Sequence, residues 1–161
     1  MREDISFRIT DIIRRPGNTT QYTIGDVITN VASCPFQFRY ITPENGLPVL
    51  LTDAFMISNN VPATAGSFYL LLYRTSFMSA ADNAPFTPTL SQHLDLIGIV
   101  SLDTALKTAN HTYYKQAANV RMILTPDPVR DKVYAFLIAA NAYVPAANEQ
   151  FITCLTGRYR L

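Results

Sequence analysis

The chain has 161 residues, 48% hydrophobic and 16% charged, with a formal net charge of +1. That length suits one domain able to bury a sizeable core, and the near-neutral balance gives no electrostatic case for nucleic acid or an anionic membrane. The charged fraction lies well below the roughly 25% usual for soluble domains. Of the thirteen basic residues ten are Arg, the cation that interfaces favour over Lys, so the composition reads as that of an assembly component, with base-composition bias in the source genome as the alternative.

In chain order the sequence reads almost entirely as strands and turns. Ile5 to Asp11 alternates with period two and lays Ile5, Phe7 and Ile9 on one face. Residues 1–15 are an extended N-terminal arm or a first strand, and alternation reads the same in both cases; residues 16–161 form the body. Ile5, Phe7, Arg8, Ile9, Arg14 and Arg15 are the candidate anchor of such an arm, because an extended segment of this pattern can add to an exposed sheet edge. Pro16-Gly17-Asn18 breaks the strand, and Tyr22 packs beneath the resulting corner. Tyr22–Thr29 is strand-like with a bend at Gly25-Asp26, and Phe36–Ile41 alternates cleanly. Thr42–Gly46 is a turn carrying the favoured Asn-Gly pair, before a longer strand over Val49–Ile57.

Ser67–Arg74 holds six consecutive large apolar residues, which predicts a strand buried on both faces in the middle of the core. A long, proline-punctuated loop, Thr75–His93, follows it; loops of this length are usually functional or ordered by what they pack against. Within it Asp82 and Asn83 are expected to hold the loop's own backbone in an Asx-turn, with Pro85 fixing the chain beside them. Phe86, between Pro85 and Pro88, either folds back onto its own core or fills a pocket on a neighbour. Leu102–Lys107 is the single plausible helical turn. Strands over 112–115, 120–124, 132–139 and 150–156 complete about nine in all, at the spacing of an antiparallel sandwich or barrel. Glu and Lys together number six against seventeen Thr, nine Tyr and nine Phe, the profile of pleated sheet.

Catalytic chemistry is thinly supported. His93 and His111 are the only histidines, and no positioned nucleophile or orienting group accompanies them in local spacing. Phosphate-loop, zinc-protease and hydrolase motifs are missing, and the start of a calcium loop at Asp82-Asn83 lacks the further carboxylates. Cys34 and Cys154 have no metal spacing; free buried thiols are the preferred reading, with a single disulfide left open. No catalytic residue, metal or cofactor is expected. There is no secretory h-region and no apolar run of about 18 residues for a membrane span.

Three segments carry a family resemblance: Arg15-Pro16-Gly17-Asn18-Thr19-Thr20-Gln21-Tyr22-Thr23-Ile24-Gly25-Asp26-Val27-Ile28, then Asp82-Asn83-Ala84-Pro85-Phe86 after an apolar strand, then Tyr143-Val144-Pro145 before a last strand. In this order and spacing the chain resembles the head decoration, or cement, proteins of tailed bacteriophages. The resemblance implies a single-domain, all-β, antiparallel jelly-roll-like β-sandwich with an N-terminal arm. It implies a structural virion protein that binds the outside of an icosahedral head and stabilises it, assembled in the host cytoplasm. The expected partners are the major capsid protein and two further copies in a homotrimer, with no nucleic acid and no membrane. A receptor- or carbohydrate-binding β-sandwich module of a tail or fibre is the alternative; the absence of Trp weakens it, although Tyr can also stack on sugars. The charged residues before Arg15 and the two cysteines depart from the family pattern.

Overall fold

The computed structural model describes residues 4–39, 41, 46–116 and 120–160. The turn expected over 42–45 lies outside them. Among the described residues eleven strands and one short helix follow in order: β1 (Asp4–Arg14), β2 (Val27–Ile28), β3 (Phe36–Arg39), β4 (Val49–Ser58), β5 (Phe68–Tyr73), α1 (Leu90–His93), β6 (Leu96–Leu102), β7 (Thr104–Lys107), β8 (Thr112–Lys115), β9 (Met122–Leu124), β10 (Lys132–Ala139) and β11 (Gln150–Arg160). A six-stranded sheet runs β1-β11-β4-β8-β7, with β9 also on β4. A five-stranded sheet runs β2-β10-β5-β6, with β3 also on β10. Every pairing is antiparallel, and the sheets pack against one another, so the protein is an all-β sandwich.

The alternation of each strand explains the main core. Leu51, Ala54 and Met56 of β4 and Phe151 and Leu155 of β11 point inward from the larger sheet. Phe68, Leu70 and Leu72 of β5 and Val133, Ala135 and Leu137 of β10 meet them from the smaller one. Phe68 sets its edge against Tyr114, Tyr143 and Phe151, with centroids 5.0, 5.3 and 5.7 Å away, in the edge-to-face geometry aromatic rings prefer.

A second cluster sits outside the smaller sheet. Tyr73, Tyr134, Phe136, Ile138 and Val27 are buried there beneath the long loop, against Phe77, Phe86 and Leu96. This covering accounts for the apolar Leu71 and Tyr73 of β5, whose side chains would otherwise face water. It also corrects the choice of central strand: Tyr69 is 42% exposed, whereas β10 is buried at every position after Lys132. β10 lies between β5 on one edge and β3 and β2 in succession on the other, so both its faces and both its edges are covered.

Two further expectations are corrected. Leu102–Lys107 is not helical; it ends β6 and forms β7, where Thr104–Lys107 pairs with β8 and long-range pairing overrides the local pattern. The helical turn is Leu90–His93, started by a capping box in which Thr89 accepts from the Gln92 N–H and Gln92 accepts from the Thr89 N–H. The strand expected over Tyr22–Thr29 is reduced to Val27–Ile28, because Gly25 adopts φ +91° and Asp26 accepts from the Thr23 N–H in a turn.

β1 is paired with β11 over its full length, Asp4 with Arg160 through Arg14 with Gln150. Near its far edge Asp11 takes the place of a neighbouring strand: its carboxylate accepts from the Ile12 N–H and, across to the other sheet, from the Gln37 N–H of β3. A carboxylate so placed satisfies edge donors and hinders further strand addition. Gly157 permits the close approach of β1, β11 and β4 at the register shift after Thr156, where a Cβ would collide with the Leu50 carbonyl and the Phe7 ring.

Candidate functional site

Two adjoining polar networks occupy the corner where the chain leaves β1. Arg15 is 1% exposed, and its backbone N–H donates to the Glu149 carbonyl at 2.9 Å, extending the β1–β11 ladder. Its guanidinium uses all five donors. Nε donates to the Tyr22 hydroxyl, Nη1 to the carbonyls of Asn18 (3.2 Å) and Ala146 (3.1 Å), and Nη2 to Asn18 Oδ1 (3.3 Å) and Asp82 Oδ2 (3.1 Å). Asp82 Oδ1 accepts from the Tyr22 hydroxyl at 2.6 Å and from the Thr29 N–H at 3.0 Å. The ion pair is almost wholly dehydrated, with the two side chains 0% and 5% exposed. Such a pair persists only because its geometry and extra hydrogen bonds offset the desolvation of both charges.

The loop is sewn to the same corner through its backbone. Asn83 N–H donates to the Val27 carbonyl (3.0 Å), Val27 N–H to Ala84 (2.9 Å) and Phe86 N–H to Gly25 (3.0 Å), while Pro85 and Asp26 form an isolated bridge. Tyr22 bridges Tyr143 in the same way, with their rings stacked at 6.4 Å. Residues from all three segments singled out in the sequence, 15–28, 82–86 and 143–145, therefore touch.

The second network centres on Glu149, 1% exposed. Oε1 accepts from the hydroxyls of Ser58 and Tyr143, the latter at 2.6 Å; Oε2 accepts from Asn60 Nδ2 (3.3 Å) and the Ala146 N–H (3.0 Å). Four donors on one buried carboxylate make an anchor that ties β4, the 142–149 turn and the start of β11 together. Burial, then the Glu149 charge, raises Tyr143; the same causes push Tyr114 up to about 12. Burial, then the hydrogen bond to Asp82, raises Tyr22. The Tyr22 and Tyr143 phenols stay protonated and donate to Asp82 and Glu149. Sequence reasoning passed over Glu149, although it is one of only three Glu in the chain and directly precedes an apolar strand.

The remaining candidates are distributed over the surface and the core. Ile5, Phe7 and Ile9 point inward and are partly buried, Phe7 and Ile9 against the main core. Arg8 points outward over the Phe55 ring, 5.2 Å from its centroid, with Nε donating to Cys154 Sγ at 3.3 Å; Arg14 is exposed. Phe86 packs within its own chain, on Phe136 (5.1 Å), Phe77 (6.2 Å) and Tyr73 (6.5 Å). The Asx-turn expectation for Asp82 is corrected: its carboxylate serves Arg15, Tyr22 and Thr29 rather than its own loop. Asn83 contributes a left-handed turn conformation, φ +63°, which its residue type tolerates. His93 and His111 are exposed on separate segments, and Cys34 and Cys154 are free thiols.

A groove of about 870 Å³ lies on the larger sheet, lined among others by Asp53, Phe55, Leu106, Tyr113, Lys115 and Gln116. Among the described residues no group of three or more His, Cys, Asp or Glu is placed to hold a metal ion. No protein-family model matches the chain, and a search of curated proteins finds no match.

Proposed function

We propose that the protein is a structural virion component, a decoration protein that binds the outside of an icosahedral phage head and reinforces it, without catalytic activity. One observation carries the reading. The three segments that resemble head decoration proteins, far apart in sequence, meet in one buried corner held by Arg15, Asp82 and Tyr143. The low charge content and the Arg-over-Lys bias support a body that hides part of its surface in an assembly. The major capsid protein is the partner, and the working unit is a homotrimer, whose closed ring repeats one heterologous contact.

A second reading, a receptor- or glycan-binding module of a tail or fibre, is favoured by the groove beside Phe55 and Tyr113, where rings lie near Asp53, Lys115 and Gln116. Electron microscopy of particles with and without the protein separates the two. Density on the shell exterior, lost when the gene is deleted, is the expected result. Density on the tail supports the second reading, and particles unchanged in either place defeat both.

A further inference from the structure

The outer faces of the two sheets are finished differently. On the smaller sheet Tyr73, Tyr134, Phe136 and Ile138 are covered by the chain's own loop through Phe77 and Phe86. On the larger sheet the register sets Ile12, Ile152, Ile57, Tyr113 and Leu106 side by side across five strands. This row remains open: Ile12 is 54% exposed, Tyr113 38% and Leu106 65%. Leu50 and Ile123, paired farther along the same face, are 40% and 65% exposed. Scattered exposed apolar residues are ordinary, but a row spanning a sheet marks a surface that something covers.

Charge and shape select the occupant. Around the row, on the same face, stand the exposed cations Arg8, Arg14, Lys115 and Arg158 against one carboxylate, Asp53, among the described residues of these strands. A second copy docked face to face would oppose two cationic rims, a juxtaposition that costs affinity. A glycan is served by aromatic platforms, whereas most of the row is aliphatic and suits the aliphatic centre of a protein interface. Strands of this length, at about 4.8 Å spacing and about 3.3 Å rise per residue, give a face of roughly 20 by 30 Å. That approaches the ~800 Å² per partner of a standard interface.

We propose that the outer face of the larger sheet is a docking surface for a protein whose contact patch is apolar at its centre and acidic at its rim. This rests on the decoration reading, in which the patch belongs to a shell subunit.

Purified particles lacking the protein, with wild type or variants added back and counted by sedimentation, test it. Ile12→Glu with Leu106→Glu changes exposed positions and should weaken binding at least about a hundredfold while the melting temperature is retained. Lys115→Glu with Arg158→Glu should weaken it roughly tenfold, and raising salt should weaken wild type in the same direction. The charge pair also carries the test if the first variant fails to fold. Wild-type binding matched by both variants overturns this face and leaves the decoration reading standing. A wild type that binds no particle overturns both. A dimer abolished by Ile12→Glu with Leu106→Glu assigns the face to a second copy. Retention on an anionic polysaccharide, lost in Lys115→Glu with Arg158→Glu and unaccompanied by particle binding, assigns it to a glycan. Either of these two results overturns the proposal.

Discussion

The Tyr22 hydroxyl donates to Asp82 Oδ1 at 2.6 Å while Arg15 holds the other carboxylate oxygen at 3.1 Å, so a loop 60 residues away is fixed to the first corner of the chain. The bond works in three ways at once. It neutralises a buried guanidinium, supplies an acceptor for a buried phenol, and holds the loop whose Phe77 and Phe86 cover the smaller sheet.

Removing one partner of this pair should therefore cost more than an ordinary hydrogen bond. Asp82→Ala leaves Arg15 charged and buried, with an expected loss of about 3–5 kcal/mol. In calorimetry that is a fall in Tm of roughly 10 °C or more for a chain of this size. Replacing both members with apolar residues, Arg15→Met with Asp82→Leu, should recover part of the loss, because no charge is then stranded. A single variant that melts within a degree of wild type would mean that water reaches the corner.

The buried phenols predict an alkaline weakness. In the unfolded chain tyrosines ionise near pH 10, while in the fold Tyr114 holds its proton up to about 12, with Tyr22 and Tyr143 raised as well. Above pH 10 the unfolded state binds fewer protons than the folded one, so stability falls as pH rises toward 12 and is unaffected by these groups below 10. Chemical denaturation across that range should trace the decline, and phenolate absorbance should show the buried tyrosines titrating only as the fold is lost. Tyr114→Phe should flatten the slope.

Phe86 belongs to the aromatic cover of the smaller sheet, in contact with Tyr73, Phe77 and Phe136. Phe86→Ala should destabilise the protein by about 2–3 kcal/mol, at the low end for a large ring because the side chain is only partly buried. Urea denaturation measures it. A variant of unchanged stability that no longer binds particles would instead give the ring to a neighbour.

Much of the architecture was legible in the sequence because strand signals are local. Alternation in β1 and β3 and the apolar runs of β5 and β10 lie in consecutive residues, and turn formers separate them. What escaped was decided by distant partners. β7 reads as a helical turn until β8 pairs with it, and Asp82 reads as a self-contained loop residue until Arg15 arrives from 67 residues away. Glu149 carried no local motif; its role depends on Ser58 and Asn60, which come from another strand and its following turn. The docking row is a property of register, since Ile12, Ile152, Ile57, Tyr113 and Leu106 are neighbours only once five strands are aligned.

The first strand gives the most direct test of how the N-terminal residues serve the fold. β1 supplies Ile13, 2% exposed, and packs Phe7 and Ile9 on the core, while its eleven residues cover one whole edge of β11. Deleting residues 1–13 would strip those side chains from the sandwich and expose the β11 backbone as a new edge, a template for pairing with other chains. It would also free Gln37 N–H of its Asp11 acceptor on the other sheet. The expected product is insoluble or unfolded. Phe7→Ala, a milder change at the same seam, should remain folded with a lowered denaturation midpoint, since a partly buried ring is lost where it lies over Gly157. A soluble, folded deletion product that no longer binds particles would reverse the conclusion: β1 would then be an anchor that a neighbouring subunit can accept, and the body from residue 16 onward would be the independent fold.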